Sequence, residues 1–198
     1  ATENITAGYV MADYKFTDKF MAIVGARIEN TDITYSGFEF DEDNEEAIKT
    51  PENKKSYVNV LPGAHLKYNF SDNSMLRFAW TNTLARPNYF DLVPYATFSP
   101  DNMTLERGNP ELEATTSMNF DLMFEKYFSS IGVLSAGGFY KDISNFIYSR
   151  TDLNYDDPQF GRLISYTRPE NGGNADVYGF EVSLQRQLDF LPGALKGF

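Results

Sequence analysis

The sequence contains no cysteine and a single histidine, His65. Without thiols the chain can form neither disulfides nor thiolate metal sites, and it has no cysteine nucleophile. It also lacks any apolar run near the roughly 18 residues of a spanning helix, so any membrane crossing must be made by β-strands. Basic residues are few: 17 Lys and Arg against 28 Asp and Glu give a net charge of −11, which argues against nucleic acid as a partner.

Alternation of apolar and polar residues is the dominant pattern in what is present. Between Ser117 and Tyr127 every second residue is apolar, and this period of two separates faces only on a strand. The pattern predicts that Phe120 faces lipid. After a short turn at 128–132, a second extended run continues from 133 to 150, with Gly137 and Gly138 permitting a bend or bulge. Both runs have at least the roughly 9 to 11 residues with which a tilted strand crosses a bilayer.

The same pattern predicts seven long strands, at 5–16, 20–35, 57–70, 75–86, 117–127, 133–150 and 175–187. Their connections alternate between short turns near Asp18, Asn73 and Ser130 and long segments at 37–56, 87–115 and 151–174. In an up-and-down sheet this alternation places every long loop at one end, as in outer-membrane barrels. We therefore expect an all-β antiparallel meander that forms part of a transmembrane β-barrel. A soluble β-sandwich binding module is the alternative, because its strands alternate too.

Six short motifs resemble, in the same order, the barrel motifs of TonB-dependent outer-membrane receptors. They lie at 25–31 (GARIENT), 61–63 (LPG), 84–87 (LARP), 108–112 (GNPEL), 139–141 (FYK) and 179–181 (GFE). The resemblance implies a plugged barrel of about 22 strands in the outer membrane of a Gram-negative bacterium. It implies active import of a scarce nutrient such as a siderophore, vitamin or glycan, with energy relayed by TonB, and no enzymatic activity. It also implies structural roles for Arg86, Pro87, Gly108, Asn109, Pro110, Gly179 and Glu181.

Seven strands are too few to close such a barrel, and lipid cannot satisfy an open sheet edge. We therefore expect residues 1–198 to be one portion of a barrel wall, without the plug domain and the remaining strands. A turn is expected at 191–197, with an eighth strand to follow. The expected partners are outer-membrane lipid, a small-molecule nutrient and, through the absent plug, TonB. A passive porin or an adhesin barrel is a further alternative.

The long loops are where a ligand site is expected, because a rigid wall positions them. Four aromatic residues lie in the loop between the fourth and fifth strands: Tyr89, Phe90, Tyr95 and Phe98. Their rings offer large contact area to flat or amphipathic ligands, although they could equally pack on the loop itself or form part of an interfacial girdle. A second aromatic set, in the next long loop, comprises Tyr155, Phe160 and Tyr166. The sequence 108–110 is expected to turn the chain back toward the wall.

No cofactor, metal or catalytic site is expected. The acidic run 41–46 has Glu46 where a calcium loop needs glycine. Asp121 and Glu125 share a strand face about 13 Å apart, too far for a glycosidase pair. His65 is expected to be a polar residue facing the barrel interior beside Lys67, because no nucleophile pattern surrounds it.

Overall fold

A computed structural model describes residues 1–41, 46–50, 52–128, 132–186 and 193. Fifteen strands and one short helix follow in chain order. They are β1 Thr2–Lys15, β2 Phe20–Tyr35, β3 Phe38–Asp41, β4 Glu46–Lys49, β5 Asn53–Ser71, β6 Ser74–Ala85, α1 Tyr89–Leu92, β7 Ala96–Ser99, β8 Thr104–Arg107, β9 Thr115–Tyr127, β10 Gly132–Ser144, β11 Ile147–Leu153, β12 Asp156–Asp157, β13 Gly161–Arg162, β14 Ser165–Asn171 and β15 Asn174–Arg186. Within these residues no helix is long and apolar enough to cross a membrane.

The seven long strands form one sheet in the order β1-β2-β5-β6-β9-β10-β15, each antiparallel to its neighbours. The predicted all-β meander is therefore confirmed. Several predicted strand limits differ from the structure, and the largest difference is at β10, which ends at Ser144 and not at Arg150. Asn145 has a φ of 57°, in the left-handed region, which ends the extended run. Residues beyond it continue as β11 in a separate sheet.

The two faces of this wall sheet differ in chemistry. Cross-strand pairing groups aliphatic and aromatic side chains on one face, and many of them are exposed, including Val10 at 72%, Val60 at 58%, Leu122 at 49% and Phe180 at 85%. Phe120 lies on this face, level with Trp80 and Tyr140. A β-sandwich would cover such a face with a second sheet, so that alternative is wrong. Burial against lipid is the arrangement that removes so much apolar surface from water.

Aromatic rings collect on the apolar face at the end that carries the short turns. Phe16 contacts Tyr14 and Phe20 with ring centroids 4.8 and 5.2 Å away, and Tyr68 contacts Phe70 at 5.1 Å. Aromatic rings at this level are typical of the interfacial girdle of a membrane barrel. The turn beside them is held by the Thr17 hydroxyl, which accepts from the backbone N–H of Lys19 and of Phe20.

The long connections lie at the opposite end, as predicted, but they are more ordered than simple loops. Two of them combine into a four-stranded sheet with the order β11-β14-β8-β7, in which β14 and β8 are parallel; we call it the outer sheet. Leu105, Leu163 and Tyr166 form its core. Several predicted features lie outside the described residues: 42–45 of the acidic run, the turn residues 129–131, the turn at 191–197 apart from Gly193, and anything beyond it.

Candidate functional site

The segment from Arg86 to Thr115 folds back onto the polar face of the wall. Leu92 at the end of α1 and Leu112 near the end of the segment are both 2% exposed, and they pack with Ile33 and Tyr35 of β2. Burying these leucines removes apolar surface from water and holds the segment against the sheet. The predicted ligand-binding loop is therefore attached to the polar face of the wall sheet, at the end that carries the long connections.

Arg86 fastens the start of this segment. Its Nη2 donates to Glu29 Oε2 at 2.5 Å and to Thr31 Oγ1 at 3.1 Å, and its Nε lies 3.6 Å from Glu3 Oε1. Arg27 donates to the other Glu29 oxygen at 2.5 Å. The Glu29 side chain is only 11% exposed, so its charge depends on these two guanidinium groups. Arg86 therefore joins the loop to β1 and β2 and belongs to the structure of the wall.

The sequence Gly108-Asn109-Pro110 fastens the end of the segment. A Cβ on Gly108 would lie 2.0 Å from the Val93 carbonyl oxygen, so only glycine fits. The Asn109 side chain donates to the Pro169 carbonyl at 2.9 Å, and its backbone N–H donates to the Asp91 carbonyl at 2.6 Å. These bonds tie α1, the turn and the outer sheet together.

Two wall residues complete this attachment. The Tyr35 hydroxyl donates to the Pro110 carbonyl at 2.9 Å. Lys55 Nζ donates to the carbonyls of Glu111 and Leu112 at 3.2 and 2.8 Å. The predicted turn toward the wall is thus present, and side chains from β2 and β5 hold it there.

Two of the four predicted ligand residues, Phe90 and Tyr95, are in ring contact, and Tyr89 precedes Phe90 in α1. The Phe90 and Tyr95 rings are tilted by 33° with their centroids 4.3 Å apart, and the Tyr89 hydroxyl donates a hydrogen bond to Glu3 at 2.7 Å. Tyr89 is 50% exposed and Phe90 is 61% exposed. The bond to Glu3 raises the pKa of the Tyr89 hydroxyl above its usual value. We call Tyr89, Phe90 and Tyr95 the aromatic platform.

Phe98 lies in a different cluster. It stacks on Phe160 at 4.6 Å and packs against the buried core of the outer sheet. Tyr155 and Tyr166 also stack there, at 4.7 Å. The second aromatic set therefore serves largely as packing within the outer sheet.

A buried ion pair supports that sheet, and sequence reasoning missed it. Arg107 Nη1 lies 3.2 Å from Asp157 Oδ2, whose side chain is 1% exposed, and the guanidinium carbon lies 5.7 Å from the Phe160 ring centre. Fifty residues separate the two charges in sequence, and no spacing rule connects them. The pair becomes evident only in the structure, where the Asp157 side chain is buried.

Of the remaining predicted structural residues, Pro87 is buried just after β6, and Gly179 and Glu181 lie in β15 of the wall sheet. The Phe139 ring lies over Gly179, where a Cβ would come within 2.8 Å of the ring. Glu181 pairs with Gly137 on the polar face and is exposed. His65 shares that face with Lys67. Among the described residues, no three His, Asp or Glu side chains are grouped as a metal site would need.

Comparison with known protein families shows which family and which membrane this sheet belongs to. Residues 1–189 match the model of the outer membrane protein beta-barrel family. The chain belongs to that family, and its seven-stranded sheet is barrel wall in the outer membrane of a Gram-negative bacterium. The polar face is accordingly the face toward the barrel interior, and the apolar face is the one toward lipid. No curated protein sequence was found to match the chain.

Solved structures of receptors share the fold. The siderophore receptor PirA of Pseudomonas aeruginosa is 19% identical with a TM-score of 0.66, over 92% of this chain and 31% of that one. The hemophore receptor HasR of Serratia marcescens, solved with HasA and heme, is 13% identical with a TM-score of 0.66, over 92% and 31%. The ferric-catecholate import receptor Fiu of E. coli K12 is 15% identical with a TM-score of 0.66, over 94% and 26%.

The chain thus spans about a third or less of the length of these receptors. At such identities the likeness shows the fold alone. Together with the family match, it confirms the outer-membrane barrel fold that the resemblance of the six motifs implied.

Proposed function

We propose that this chain supplies part of the wall and outer loops of an outer-membrane receptor that binds a scarce nutrient and imports it actively, with energy from TonB. In this proposal the chain transports and does not catalyse. In this proposal the remaining strands and a plug domain come from the rest of a longer protein. Among the described residues β1 and β15 each pair on one side only, and lipid cannot satisfy an open sheet edge.

One observation carries the proposal. The Arg86–Thr115 segment folds onto the interior face and presents exposed aromatic rings at the loop end of the barrel. Such rings supply contact area at low cost in side-chain entropy, which suits capture of a dilute solute. The named relatives, receptors for siderophores and heme, indicate which nutrients to test first.

Transport should be tested in the host bacterium with the full-length gene deleted and restored. Uptake of radiolabelled ferric siderophore, heme and copper is measured with TonB present and with TonB removed. We expect one solute whose uptake needs both the gene and TonB. Uptake that needs the gene but continues without TonB would identify a passive porin, and no gene-dependent uptake with retained surface adhesion would favour an adhesin.

The platform residues should carry the affinity. Truncating Phe90 to Ala in the full-length receptor should weaken binding of the transported solute by about 1 to 3 kcal/mol, the range of aromatic hot spots. The matched control is Phe120→Ala on the lipid face, which should leave affinity unchanged and lower the temperature of heat-modified migration on a gel. Unchanged affinity in Tyr89→Ala, Phe90→Ala and Tyr95→Ala alike would exclude the platform as the binding site.

A further inference from the structure

The aromatic platform is held in place before any ligand arrives. Three contacts restrain these side chains: the ring contact of Phe90 with Tyr95, the hydrogen bond from the Tyr89 hydroxyl to Glu3, and the close approach of Gly108 to the Tyr95 ring. Yet Tyr89 and Phe90 remain half or more exposed. A rigid, exposed aromatic pair leaves π-faces open to contact.

The charge beside the platform is negative. Asp91 follows Phe90 in α1, and Glu106 of β8 pairs with Thr97 of β7, two residues after Tyr95. Burial first, and then these two carboxylates, raise the pKa of the Tyr95 hydroxyl. Among the described residues, neither carboxylate has a hydrogen-bonded or ion-paired partner. Glu3 lies at the Tyr89 hydroxyl but is paired with Arg86 at 3.6 Å, so it adds no uncompensated charge.

The basic side chains around the platform are already engaged. Arg86 binds Glu29, Thr31 and Glu3, and Arg107 pairs with Asp157. Lys55 donates to two backbone carbonyls at the end of the segment. A polyanionic chelate brought to the platform would therefore meet carboxylates and no described cation that is free to bind it.

We propose that the platform receives a positively charged group of the ligand, an amino or quaternary ammonium group carried on a flat or apolar body. A cation within about 6 Å of a Tyr or Phe ring centre is attracted by the negative π-face. The nearby Asp91 and Glu106 carboxylates add attraction of the same sign. The inference rests on the proposed function, since it assigns the charge of the ligand at the same loop site.

Three probes with one indole ring test this assignment without knowledge of the nutrient. They are cationic tryptamine, neutral indole-3-propionamide and anionic indole-3-propionate, and binding to the full-length receptor in detergent is measured by saturation-transfer NMR titration. We expect affinity to fall from the cation to the neutral amide to the anion. Equal or tighter binding of the anion would overturn the proposal.

Variants assign the preference to these carboxylates. Asp91→Asn combined with Glu106→Gln should reduce the ratio of tryptamine to indole-3-propionate affinity by about threefold or more, since each removes a unit charge close to the rings. The control is Asp101→Asn, an exposed acid in the turn between β7 and β8, which should leave the ratio unchanged. An unchanged ratio in the double variant would also overturn the proposal.

Phe90→Leu separates this inference from the proposed function. If Phe90→Leu weakens the binding of all three probes, and the three probes bind the unmodified receptor with equal affinity, the loop site stands and the charge assignment fails. If Phe90→Leu changes the affinity of no probe, or if no probe binds saturably, the platform is not a binding site and both proposals fail for this loop. Heat-modifiable gel migration, measured for every variant, shows that each barrel has assembled.

Discussion

Replacing Arg86 with Gln should loosen the loop that carries the aromatic platform. Arg86 lies at the start of this loop, just after β6, and donates to Glu29 and Thr31 on β2, two strands away in the wall sheet. The Thr31 residue is fully buried, and the Glu29 side chain is 11% exposed. Glutamine keeps a polar side chain at the position but removes the charge that compensates Glu29.

The expected loss in the free energy of unfolding lies between two limits. Breaking a buried ion pair costs about 3 to 5 kcal/mol, and breaking an exposed one costs about 1 kcal/mol or less. The Arg86 side chain is 22% exposed, and Arg27 still donates to Glu29 when Arg86 is gone. We therefore expect a loss of about 2 kcal/mol, and a double-mutant cycle with Glu29→Gln should assign at least about 1 kcal/mol of coupling to the pair.

The measurement is urea-induced unfolding of the full-length receptor in detergent, combined with limited proteolysis between residues 87 and 112. Arg77→Gln is the matched control, since Arg77 meets Glu125 on the same interior face at 3.4 Å with 49% of its side chain exposed. It should cost less than about 1 kcal/mol and leave the loop protected. The reasoning fails if the control costs as much as Arg86→Gln, or if the cycle gives no coupling.

Three further predictions concern the loop end. Gly108→Ala should cost about 2 kcal/mol or more and expose the loop to protease, because its Cβ would lie 2.0 Å from a carbonyl oxygen, whereas Gly173→Ala, with open space around it, should be neutral. A cysteine at Asp101 should react with an impermeant maleimide on intact cells and one at Asp18 should not; equal labelling would refute the orientation. Arg168, followed by Arg150, holds the pKa of Glu170 below its usual value, so its ion pairs stabilise the outer sheet at neutral pH and are lost as acid protonates Glu170. In the unmodified receptor the β11 amides should lose protection from hydrogen exchange below about pH 4.5, and in Glu170→Gln this pH dependence should be absent. The same pH dependence in both proteins would count against a stabilising role for the Glu170 ion pairs.

The wall sheet could be predicted from the sequence because one physical rule governs it. Lipid on one side and polar surroundings on the other impose a period of two, and the turn residues near Asp18 and Asn73 mark where the strands reverse. Both ends of β2 coincide with the prediction, and β9 and β15 begin within two residues of it.

The outer sheet could not be predicted because its strands are short and its pairings are distant. β7 and β8 have four residues each, too few to show a period. The parallel pairing of β8 with β14 joins Leu105 to Tyr166, and no local turn signals such a contact. The aromatic loop was found from composition, but the separation of Phe98 from the other three rings follows from this distant pairing.

Several residues of the family motifs and the residues proposed to bind the ligand lie in the same segment, Arg86–Thr115. Asn109 was singled out as a structural residue, yet its backbone binds α1 at Asp91 and its side chain binds β14 at Pro169. With Arg86 at one end and Asn109 at the other, the platform is attached to the wall and the outer sheet at once. A site attached in this way loses little conformational entropy when a ligand binds, so its affinity depends on ring contact and charge more than on loop closure.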